Sequence, residues 1–170
     1  MTSILDEILR FLKEDVVFRL PNVTVKEAYL VNTALELPLL TVDEFPGNEG
    51  VYLDNQPHIV RNVITLEAYA DQAETGEEAL LSESDDYIGT ESNNPIFIDP
   101  EENEFYLTGR RAAMQILMDA DRKLNEKFGL TMIGNIAYAP YQDPNIVRAV
   151  STYFAYIDTR TNTIYRRINI

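Results

Sequence analysis

The chain has 170 residues, with 28 Asp and Glu against 14 Lys and Arg, one His and no Cys. Disulfides, thiolate metal sites and a cysteine nucleophile are therefore excluded together, and a lone His58 leaves little for acid–base or metal chemistry. The length suits a single domain over 1–170 that buries roughly 70% of its unfolded surface without cross-links.

In chain order, Ser3 and Asp6 have the spacing of a capping box, with Asp in place of Glu. Ile4, Leu5, Ile8, Leu9 and Leu12 follow at helical intervals, so a first helix of about three turns is expected. This opening is acidic and amphipathic, unlike a signal peptide, and no apolar run approaches the ~20 residues that cross a bilayer, so a soluble protein is expected. The stretch 19–22 reads as a turn, and 23–32 gives mixed signals. Strands are expected over 37–44, with Pro38 at the start where a missing amide costs least, and over 60–70, where Ile64, Leu66 and Ala68 alternate with Val63, Thr65, Glu67 and Tyr69.

The net charge of −14 is concentrated. The stretch 71–107 holds twelve acids and no base, leaving sixteen acids against fourteen bases elsewhere, so the charge belongs to an insertion. Within it the apolar triplets 96–98 and 105–107 are placed for a small hairpin.

A second helix is expected over 110–128, capped by Thr108. Ala113, Leu117, Ala120, Leu124 and Phe128 share one face, Lys123 and Lys127 suit the C-terminal dipole, and Gly129 suits a left-handed stop. The period then changes to two: strands over 130–138 and 146–157, a proline-broken loop over 139–145, and a turn at 158–162 into a last strand over 163–168. The order predicts an α+β fold of two layers, a mainly antiparallel β-sheet covered on one face by two helices and interrupted by the acidic insertion.

Chemistry is scarce. The seven glycines are scattered, so no dinucleotide fingerprint or phosphate loop can be built. His58 between Pro57 and Ile59 reads as an ordinary packing residue and not as part of a Ser-His-Asp site. Asp119 and Asp121 are two apart on a helix and point to different faces. Glu83, Asp85 and Asp86 lack the glycine-punctuated spacing of a calcium loop. Dispersed bases in a negative field argue against nucleic-acid binding in a positive groove. Ten Tyr and seven Phe are more informative. Tyr138, Tyr141, Tyr153, Tyr156 and Tyr165 crowd into the last strands, where both sheet faces seek cover. They are candidate subunit contacts, although Tyr also simply suits strands.

Several of these features together resemble the tail terminator proteins (also termed tail completion or minor tail proteins) of long-tailed bacteriophages. They are the N-terminal helix, Leu20-Pro21-Asn22-Val23, the Pro-led strand ending near Asp43 and Glu44, the strand over 62–69, and the helix carrying Met114, Leu117, Met118 and Asp119. The run Tyr141-Gln142-Asp143-Pro144-Asn145-Ile146-Val147-Arg148 leading into Thr152, Tyr153 and a terminal hairpin completes the set. The resemblance spans nearly the whole chain and is most specific at 143–148. It implies a virion subunit of the tail neck, assembled in the host cytoplasm, that closes as a hexameric ring on the last ring of tail tube protein. Such a ring stops tube polymerisation and offers a surface to the head connector, with no catalytic site, cofactor or metal and no membrane partner. Heterologous contacts that close by rotation are required, and Arg148 joins the five tyrosines as a candidate contact. The departure from the family pattern is the length of 71–107. If Glu77, Glu78, Glu83, Asp85 and Asp86 line the channel, six copies repel the DNA backbone and let it pass; otherwise they face the tube or connector. The alternatives are another neck component such as a head–tail joining protein, a tail tube subunit, or, from another class, a small carboxylate-metal hydrolase.

Overall fold

Helix α1 (Ile4–Glu14) starts where the capping box predicts: Ser3 Oγ accepts from the Asp6 amide at 3.0 Å and Asp6 Oδ2 accepts from the Ser3 amide at 3.2 Å. Ile4, Ile8, Leu9 and Leu12 form its buried stripe. In this computed structural model, which describes residues 3–28, 35–45, 52–53, 56–72 and 109–165, eight strands form one sheet and two helices lie over it.

The strands are β1 (Thr24–Glu27), β2 (Leu39–Phe45), β3 (Tyr52–Leu53), β4 (Gln56–Asp71), β5 (Thr131–Met132), β6 (Ala137–Ala139), β7 (Ile146–Asp158) and β8 (Thr163–Ile164). The frame is the antiparallel pair β4 and β7, in unbroken register from Ile59 opposite Asp158 to Asp71 opposite Ile146. β2 pairs antiparallel with the other edge of β4, and β1 joins β2 in parallel, so the sheet is mixed with one parallel pair in its main path.

Helix α2 (Gly109–Phe128) crosses the centre of the sheet, burying Ala113, Ile116, Leu117, Ala120, Leu124 and Phe128. Burial of each large aliphatic side chain here stabilises the fold by roughly 1.5–3 kcal/mol. Its face of the sheet carries Ile64, Leu66 and Ala68 of β4, with Ala149, Tyr153, Ala155 and Ile157 of β7, all in one core with the α1 stripe. Phe11 meets Phe128 edge-on, with ring centroids 5.3 Å apart, so both helices share one layer. Gly129, at φ +68, takes the left-handed conformation that stops α2, and its amide donates to the Asn125 carbonyl.

The α+β two-layer fold thus agrees with expectation, with three corrections in detail. The strand expected over 130–138 is split: Gly134, at φ +70, lies in an excursion between β5 and β6. Going from Met132 to Ala137 takes five residues while the opposing β7 positions, Tyr153 to Val150, take three, so two residues bulge out and the alternation of faces survives. The terminal strands are not a meander. β4 holds one whole edge of β7, so β5, β6 and β8 share the other edge. The mixed signals over 23–32 conceal β1, whose four residues are too short to show a period. The Thr108 cap, the hairpin expected within 96–107 and the strand beyond Tyr165 lie outside the described residues.

Candidate interaction surface

With both helices on one side, β2, β4 and β7 turn their other face away from the helical layer. Alternation puts Asp43 and Phe45 of β2 there. From β4 come Arg61, Val63, Thr65, Glu67 and Tyr69, and from β7 Arg148, Val150, Thr152, Phe154 and Tyr156. Most are half-buried, while Phe45 is exposed. This face mixes rings with charges that the strands hold in place. The Arg61 guanidinium lies 4.3 Å from the centroid of the Phe154 ring, an arrangement worth about 0.5–1 kcal/mol near a surface.

At the far end of the same face is a linked polar group. Glu67 accepts from the Arg148 guanidinium through one carboxylate oxygen and from the Tyr69 hydroxyl through the other. The Glu67 bond holds the Arg148 guanidinium above its ordinary range. Burial, followed by the bond to Glu67, pushes the Tyr69 phenol up as well. Tyr141 packs edge-on against Tyr69 at 5.4 Å, which fastens the loop between β6 and β7 to the sheet. At the opposite end, Asp158 accepts from the Arg160 amide and guanidinium, and that pairing holds its carboxyl down to about 2.

The helical side of the sheet carries a different surface. A groove of about 270 Å³ runs between α2 and the β5–β6 edge, lined by Met118, Met132, Ile136, Gln115, Arg19, Asp119, Asp121 and Arg122. Asp119 is buried, its oxygens taken by the Arg19 amide at 2.9 Å and the Gln115 side chain at 2.9 Å. Asp121 is half-buried and lines the same groove, although their spacing on the helix put the two acids on different faces.

The structure distributes the six expected contact residues over different places. Tyr156 and Arg148 share the face away from the helices, and Tyr141 lies over Tyr69 there. Tyr138 is on the helical side, 43% exposed, beside Arg110, whose carbonyl its hydroxyl reaches at 3.3 Å. Tyr165 is half-buried, its amide bonded to the Tyr156 carbonyl. Tyr153 is fully buried beneath α2 and belongs to the protein's own core, so it offers no surface for a neighbour. Glu77, Glu78, Glu83, Asp85 and Asp86 lie outside the described residues.

Phe45 and Met118, more than half exposed, were not singled out from the sequence as contact residues. For Phe45 the signal was present: a ring at the end of a strand, directly before Pro46-Gly47. Among the described residues no three His, Asp or Glu side chains converge on a metal-sized site, and no helix is long and apolar enough to cross a membrane. No protein-family profile matches the chain, and no curated protein matches it in sequence.

Proposed function

We propose that this protein is a structural subunit of a long-tailed phage tail. It closes as a hexameric ring on the tail tube, ends tube polymerisation and presents the joining surface for the head connector, with DNA passing through the ring unbound. The observation that carries this reading is the placing of large apolar side chains outside the core: Phe45 on the face away from the helices, and Met118 and Tyr138 on the helical side. Apolar surface on two sides of a small subunit suits contacts with two different neighbours. The motif around 143–148 points the same way. The Pro-Asn loop it forms is exposed, and the strand it leads into carries Arg148 and Tyr156 on the half-buried face.

The test is a tube-growth assay with the tail tube protein of the same virus, read by electron microscopy. Added at equimolar amounts, the chain is expected to shorten the tubes and to sit as a ring at one end only. Tubes of unchanged length with bare ends would reject the reading. Long cylinders made of this chain alone would favour the tube-subunit alternative.

A further inference from the structure

We infer that neighbouring copies join edge to edge, with Phe45 of one copy seated in the groove beside α2 of the next. The inference rests on the ring reading above and names the contact that would build the ring. Phe45 ends β2 beyond the last residue paired with β1, which is Val42, and 55% of it is exposed. It points to the face away from the helices, because its cross-strand partner is Val63, whose own partner is Phe154. An exposed ring at a sheet corner is a knob. The groove of about 270 Å³ walled by Met118, Met132 and Ile136 is a hole of matching character, and methionines adapt their shape to an inserted ring.

The register fixes where the two stand. Phe45, Val63, Phe154 and Thr131 form one row across β2, β4, β7 and β5, and Met132 is the next residue along. Knob and groove therefore lie at the same height on opposite edges, three strand spacings or about 14 Å apart, and on opposite faces. A copy's own sheet stands between its Phe45 and its own groove, whereas a copy set beside it can present one to the other. Such a contact is heterologous, the kind that repeats by rotation until a ring closes.

Charge agrees with the pairing. Asp43 and Glu44 immediately precede Phe45, and Asp43 shares its face. The groove lining holds two Asp and two Arg, but Asp119 is buried and Asp121 half-buried, whereas Arg19 and Arg122 are exposed, so the charges it shows at its rim are the arginines. The Arg19 side chain is 63% exposed although its Nε lies 3.9 Å from Asp119, so its guanidinium can also reach a neighbour. An acidic knob edge against the two exposed arginines of the groove rim steers copies into one orientation.

Sedimentation velocity on the full chain tests this with Phe45→Glu and Met118→Glu, each checked by circular dichroism for a native spectrum. Wild-type protein is expected to sediment as an oligomer and each variant alone as a monomer. An equal mixture of the two variants should stop at a dimer, because one copy keeps only its groove and the other only its knob. A second pair tests the charges: Asp43→Arg and Arg122→Asp each weaken association at least about tenfold, and the two changes in one chain restore it. Variants that assemble like wild type, or a mixture that stays monomeric or builds rings, would overturn this contact and leave the ring reading standing. A wild-type monomer would overturn the ring reading itself, and this contact with it.

Discussion

Among the described residues Tyr153 is the largest fully buried side chain, and its hydroxyl and that of Ser151 make no hydrogen bond of good geometry although Ser151 and Asp121 lie beside it. Burial, more than nearby Asp121, pushes its phenol above the ordinary range. A hydroxyl desolvated without a bond costs the fold about 1–3 kcal/mol. Tyr153→Phe is therefore expected to leave stability unchanged or raise it by about 1 kcal/mol in urea denaturation. The sign with pH follows. The unfolded phenols ionise near pH ~10 while Tyr153 and Tyr69 stay protonated in the fold, so stability is full below that pH and falls as pH climbs past it. The phenylalanine variant should decline less steeply in an alkaline unfolding series.

Asp119 is the opposite case, a buried carboxylate whose bonds tie the α1–β1 connection to α2. Asp119→Ala strands the Arg19 amide and is expected to cost about 1–3 kcal/mol, read as a lower urea midpoint. The spacing of Asp119 and Asp121 put them on different faces, yet both line the groove beside α2. Nor could it show that Asp119 turns inward, because its partner amide is 100 residues away along the chain.

At the scale of elements, what local chemistry decides was readable in advance. The Ser3–Asp6 capping box, the α2 stripe, the Gly129 stop and the alternation of β4 and β7 are each set within a few residues, and each is where the pattern placed it. Gly129→Ala should cost about 1 kcal/mol, seen as a lower midpoint in thermal unfolding, because alanine resists the left-handed conformation. What depends on non-local pairing was not readable. The use of one β7 edge by β5, β6 and β8 follows from β4 occupying the other, while the parallel seat of β1 on β2 and the two-residue bulge near Gly134 are set by the register of a partner strand that no local period encodes. The tyrosines show the same divide. Their alternation put Tyr153 and Tyr156 on opposite faces, but only the position of α2 decides that Tyr153 is core while Tyr156 is half-exposed.

At the scale of the whole molecule, the sequence suggested a tyrosine-rich meander as the shared surface, and burial of Tyr153 removes its centre. Phe45 remains outward on one face and Met118 and Tyr138 on the other, an arrangement suited to a subunit with a neighbour on each side. The central claim is that such copies close a ring. Native mass spectrometry of the purified chain at near-physiological ionic strength tests it most directly. The account predicts one dominant closed species of six copies that does not grow with concentration. A monomer at every concentration, or an open ladder of masses that lengthens as protein is added, would contradict it.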